Sequence, residues 1–143
     1  MIISFGGSDR EKVQIEVQGY QYQPTGEYYD DNWLSVQISI LAGSFRGKIN
    51  ASFLTADFAS FLSQLRLLHE TLQGSAEFKT MEEQLYLKLI GDGKGHIELE
   101  GELKDRPGVS NQLNFTLQFD QTQLRESISQ LEKIVSAFPI RQA

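Results

Sequence analysis

No cysteine occurs among the 143 residues. That absence excludes a disulfide framework, a thiolate zinc site, an iron–sulfur cluster and a cysteine nucleophile together, and it fits a reducing compartment. Only two histidines are present, His69 and His96, far apart and without HExxH-like metal-ligand spacing. The serines are scattered, with no Gly-x-Ser-x-Gly elbow to deliver a nucleophile beside a base. Catalysis is therefore not expected, and neither a metal nor any other cofactor is. No apolar run approaches the roughly 18 residues that a membrane helix needs. The opening "MIISFGGSDREK" has neither the basic start nor the apolar stretch of a secretory signal. A cytoplasmic, soluble protein is the expectation.

Positive charge is also scarce. Thirteen Lys and Arg against nineteen Asp and Glu leave a formal net charge of -6, with an isoelectric point near 4.9. Such a surface repels phosphate backbones and anionic lipids, so nucleic acid and membrane are poor partners and a basic protein is a better one. The same acidity also serves plain solubility. Hydrophobic residues at 40% and nine phenylalanines are enough to build a core, and the length suits a single α+β domain over residues 1–143.

The apolar residues fall into two periodicities. In "KVQIEVQGYQY" Val13, Ile15 and Val17 share one side, and from Trp33 the residues Leu34, Val36, Ile38 and Ile40 do so again. Period-2 alternation marks strands with one buried face. Ala42 to Ser44 make a tight reversal, and Phe45, Gly47, Ile49, Ala51 and Phe53 continue as the second strand of a hairpin. At Thr55, a candidate N-cap, the period changes. Phe58, Phe61, Leu62, Leu65, Leu68 and Leu72 form one helical stripe over about residues 55–73, with Gly74 as the stop signal. "SAEFKT", "QLYLKLI", "HIELEGELK" and "NQLNFTLQF" then alternate as strands. A second helix is predicted over about 121–138, with Asp120 and Gln123 at capping-box spacing and Pro139 after it. Each half is thus a strand set followed by a helix. The expectation is an α+β fold, a curved antiparallel sheet whose apolar face carries two amphipathic helices.

Three features invite functional readings. The "GDGKG" link, Gly91 to Gly95, resembles a phosphate loop in composition, but a strand follows it and His96 stands where Ser or Thr is required. A hairpin loop explains it, and a symmetrical one sets Lys88 opposite Glu98 and Tyr86 opposite Glu100. Glu98, Glu100 and Glu102 share one strand face, spaced roughly 7 Å apart, too far to converge on one ion without ligands from elsewhere. They read as a solvated acidic face suited to a basic partner. Tyr28, Tyr29, Asp30, Asp31 and Trp33 concentrate aromatic and acidic groups ahead of a strand. Such groups anchor interfaces, and they equally suit a loop leading into a strand, so both readings stand.

The segments "DDNWLSVQISI", "LTADFASFLSQL", "GDGKGHIELEGEL", "DQTQL" and the terminal Phe138–Pro139 resemble the bacterial WapI-type immunity proteins, over about Val13 to Pro139. The resemblance implies a small cytoplasmic antitoxin that binds the C-terminal domain of a polymorphic toxin, a nuclease in the family's namesake case. It carries no catalytic motif to transfer. On that reading Tyr28, Tyr29, Asp30, Asp31, Trp33, Glu98, Glu100 and Glu102 are candidate partner contacts. A small-molecule-binding module is the alternative, and it requires an apolar pocket with a few convergent polar groups.

Overall fold

The computed structural model describes residues 1–141. Its strands divide into two four-stranded antiparallel sheets. The first comprises β1 (Ile2–Phe5), β2 (Glu11–Tyr20), β3 (Trp33–Ala42) and β4 (Phe45–Leu54), paired in that order; a four-residue helix α1 (Tyr28–Asp31) precedes β3. Helix α2 (Thr55–Thr71) leads to the second sheet, β5 (Gln73–Phe78), β6 (Leu85–Asp92), β7 (His96–Lys104) and β8 (Gln112–Asp120), and α3 (Gln121–Ala137) closes the chain. Four strands and a helix thus occur twice, the plan that the alternating halves of the sequence predict. The α+β class and both long helices match expectation. The sheet material is split in two because α2 interrupts it.

The inner faces carry the residues that period-2 alternation selects. Val13, Ile15, Val17, Leu34, Val36, Ile38 and Ile40 are buried in the first sheet, and Leu87, Leu89, Ile97, Leu99 and Leu117 in the second. One continuous apolar cluster joins both sheets and both long helices. Aromatic rings bridge the layers: Phe5 of β1 lies 6.3 Å from Phe119 of β8, and Phe53 of β4 lies 5.1 Å from Phe78 of β5. Phe61 of α2 stands between them, 5.8 Å from Phe5 and 5.0 Å from Phe78. Offset and edge contacts at such spacings are the favoured geometry for rings, and burying each adds about 2 kcal/mol or more.

The helix ends differ from the sequence reading in instructive ways. Leu54 rather than Thr55 is the N-cap of α2, and its N–H donates to Asp57 Oδ2 at 3.0 Å. Thr55 is drawn away because its hydroxyl donates to Asn32 Oδ1 at 2.9 Å. At the other end the C-cap is Leu72, in the left-handed conformation at φ 60°, and Gly74 follows at φ 95°. Gly74 is already inside β5. The Asp120–Gln123 capping box of α3 forms as its spacing predicts, with Gln123 N–H donating to Asp120 Oδ1 at 3.1 Å. The same helix fixes β1, since Ser4 N–H donates to Gln130 Oε1 at 2.8 Å and Ser127 Oγ donates to the Ser4 carbonyl.

Candidate functional site

The acidic-aromatic segment before β3 separates into two kinds of residue. Asp31 and Asn32 are buried, at 4% and 0% exposure. Asp31 accepts from Thr25 N–H at 2.6 Å, Thr25 Oγ1 at 2.9 Å and Gly26 N–H at 2.8 Å. The Thr25 backbone N–H holds its carboxyl below the ordinary range, against the opposing effect of burial. Its oxygens are thereby committed to ordering the preceding loop. Asn32 uses its whole side-chain amide. Nδ2 donates to the carbonyls of Tyr28 and Arg141 at 2.7 and 2.9 Å, and Oδ1 accepts from Arg141 N–H and Thr55 Oγ1 at 2.7 and 2.9 Å.

Those bonds draw the C-terminal segment against the first sheet. The Arg141 guanidinium carbon sits 3.4 Å from the Tyr20 ring centroid, and Tyr20 Oη donates to the Pro139 carbonyl at 2.6 Å. Asp31 and Asn32 are therefore internal ties. Tyr28, Tyr29 and Asp30 stay exposed, the two rings edge to face at 5.3 Å. Trp33 is half-buried, opposite Leu54 in the hairpin.

The outer face of the second sheet carries the row Glu98, Glu100 and Glu102, all exposed. Lys88 stands opposite Glu100, Tyr86 opposite Glu102 and Ile90 opposite Glu98. This register corrects the symmetrical hairpin by two residues. Gly91 remains in β6 and only Gly93 to Gly95 turn, because Asp92 Oδ1 accepts from Lys94 N–H at 2.7 Å and His96 N–H at 3.1 Å. The turn closes on Asp92, with Gly93 and Gly95 at φ 84° and 101°. The "GDGKG" segment is thus a hairpin loop followed by a strand.

Among the described residues, Glu98, Glu100 and Glu102 have no Arg, Lys or His within ion-pair distance. Lys88, opposite Glu100, lies beyond ion-pair distance of it, and Lys79 is engaged elsewhere. Lys79 lies 3.2 Å from Glu77, and Tyr86 Oη donates to Glu77 Oε2 at 2.9 Å. The Tyr86 hydroxyl and then Lys79 hold the Glu77 carboxyl low, while burial and Glu77 push the Tyr86 hydroxyl up. Toward β8 the row faces Gln118, Thr116 and Asn114. The face is wet, polar and negative at its centre. Among the described residues no group of three or more His, Cys, Asp or Glu is placed to hold a metal ion.

His96 has a carboxylate beside it, Asp92 Oδ2 at 2.8 Å from Nδ1. Asp92 is lowered to about 2, chiefly by the Lys94 N–H and the His96 ring. The recess next to this pair has no serine, threonine, cysteine or lysine in its lining. Glu98 and Asp120 line it instead, and the bonds of the pair organise the turn.

The structure keeps the two groups of candidate contacts on different sheets. Tyr28, Tyr29 and Asp30 lie in α1, just before β3 of the first sheet, and Trp33 at the start of β3, whereas Glu98, Glu100 and Glu102 lie on β7 of the second. Of the residues that fix the first group, Arg141 and Thr25 gave no signal in the sequence and Thr55 only that of an N-cap, since their roles come from contacts up to 109 positions away. Among the described residues no helix is long and apolar enough to cross a membrane.

The family model for the immunity protein WapI-like family matches residues 2–139, nearly the whole chain. No curated protein matches it. Among solved structures, that of the plant transcriptional regulator PBF-2 is similar over 96% of this chain and 81% of its own, at a TM-score of 0.52 and 15% identity. At that identity the likeness concerns the fold alone.

Proposed function

Because the chain belongs to the immunity protein WapI-like family, we propose that it is a non-enzymatic antitoxin, which binds a cognate bacterial toxin domain and blocks it by occlusion. The match over residues 2–139 carries the reading, since the family is one of immunity proteins and so implies a protein partner. The toxin in view is the C-terminal domain of a polymorphic toxin, in the cytoplasm of the cell that makes both. A basic nuclease suits the charge of -6.

The surface chemistry supports occlusion. Glu98, Glu100 and Glu102 form an exposed carboxylate row without ion-pair partners among the described residues. Exposed charges of that kind steer a basic partner and speed association, while adding little to final affinity. Tyr28 and Tyr29, with Asp30 and half-buried Trp33, offer rigid aromatic area at a second position. Asp31 serves from inside, by holding the loop that presents the tyrosines.

The test is co-expression with the toxin-domain product of the adjacent gene. Growth protection together with recovery of a complex is the expected result. Toxicity unchanged by the chain, with no complex, would refute the reading.

A further inference from the structure

We propose that the open mouth between the two sheets is the anchor pocket for one apolar side chain of the toxin domain, a proposal that rests on the toxin-binding reading above. The inner face of β4 emerges from the core along its length. Phe53 is 1% exposed, Ala51, Ile49 and Gly47 are half-buried, and Phe45 is 66% exposed. Among the described residues no element covers that end. Together with Leu103 and Leu113 of the second sheet, Phe45, Gly47 and Ile49 line a groove of about 310 Å³. Its floor exists because position 47 is glycine: a Cβ there would meet Leu103 Cδ2 at 3.0 Å. The loop on the opposite lip carries Val109, 97% exposed.

Two observations identify the occupant. The first is the charge of the rim. Arg46 and Lys48 line the groove, and among the described residues neither has a carboxylate within ion-pair distance. Asp105 on the far side is already used, accepting from Asn111 N–H at 3.2 Å and Asn111 Nδ2 at 3.1 Å. The rim is therefore complementary to a carboxylate flanking the apolar anchor. The second is position. Gln112 lines the groove, and its Nε2 donates to Asn114 Oδ1 at 2.6 Å, next to Glu102 on the outer face. Groove and acidic row meet at the same end of β8. A basic protein steered to the carboxylates thus arrives near a groove where apolar area can be dried. Exposed acidic rows set encounter rate, whereas filled apolar pockets set lifetime.

The experiment measures binding of the toxin domain against which the wild-type chain protects, using Phe45→Ala and the pair Arg46→Glu with Lys48→Glu. Leu67→Ala, an exposed apolar position on α2, is the control. Phe45→Ala should weaken the complex roughly tenfold or more, mainly through faster dissociation, with the thermal midpoint unchanged. The charge reversal should also weaken it, and the control should stay within about twofold. A wild-type complex that Phe45→Ala leaves at full affinity would overturn the groove while sparing the toxin-binding reading. Failure of the wild-type chain to bind any toxin domain would overturn both.

Discussion

Replacing Asn32 with alanine tests the claim that the acidic-aromatic segment is, at its centre, a structural tie. The side chain is fully buried and makes four hydrogen bonds between 2.7 and 2.9 Å. Each is worth about 1 kcal/mol net, and a buried group left unpaired costs about 1–3 kcal/mol. Thr55, 2% exposed, would keep its hydroxyl unpaired. The Arg141 backbone can partly rehydrate, since that residue is only half-buried. The total should be about 3 kcal/mol, a fall of about 10 °C in melting temperature for a chain of this length. Asn32→Asp should cost at least as much, because a carboxylate cannot donate to the Tyr28 and Arg141 carbonyls. Urea unfolding followed through Trp33, the single tryptophan, measures the loss. Exchange of the Arg141 amide measures release of the C-terminal segment. Tyr29→Ala, at a 57% exposed position, should stay within about 0.5 kcal/mol. An Asn32→Ala loss below about 1 kcal/mol, with Arg141 still protected, would refute the reasoning.

Other perturbations probe separate features. The Asp92 carboxyl, at about 2 in the folded chain against 3.8 for the unperturbed group, contributes stability that is complete above about 3.8 and lost as pH falls toward 2. His96→Ala should raise the folded value toward 3.8, read by carbon NMR titration; an unmoved value would show that the ring does not hold it. A Cβ at Gly101 would come 2.2 Å from the Phe115 ring, so Gly101→Ala should cost about 1–3 kcal/mol by overpacking, and an unchanged denaturation midpoint would contradict that. Thr80 Oγ1 is buried without a hydrogen-bond partner among the described residues. Thr80→Val should therefore be neutral or stabilising by about 1 kcal/mol; a clear loss in thermal unfolding would reveal a bond the structure does not contain.

The strand faces were legible because burial on one side of a sheet writes period 2 into the chain, and Leu34, Val36, Ile38 and Ile40 follow it throughout. The α3 capping box was legible for a similar reason, since both partners lie within four residues. What escaped depends on distance or on one carboxylate. The β6–β7 register shifted by two residues because Asp92 closes the turn, a preference that five consecutive loop residues do not display. Thr55 reads as an N-cap until Asn32, 23 residues earlier, claims its hydroxyl. Asp31 reads as a contact residue until the loop folds back and uses its oxygens. The division into two sheets likewise reflects packing of α2, which alternation within a strand cannot encode.

Occlusion of a toxin domain by an acidic surface is the central claim, and the association rate of the purified pair as a function of salt tests it most directly. Glu98→Gln, Glu100→Gln and Glu102→Gln combined should slow association severalfold at low salt and flatten its salt dependence, with dissociation little changed. A rate and salt slope identical to those of the unsubstituted chain would contradict the account.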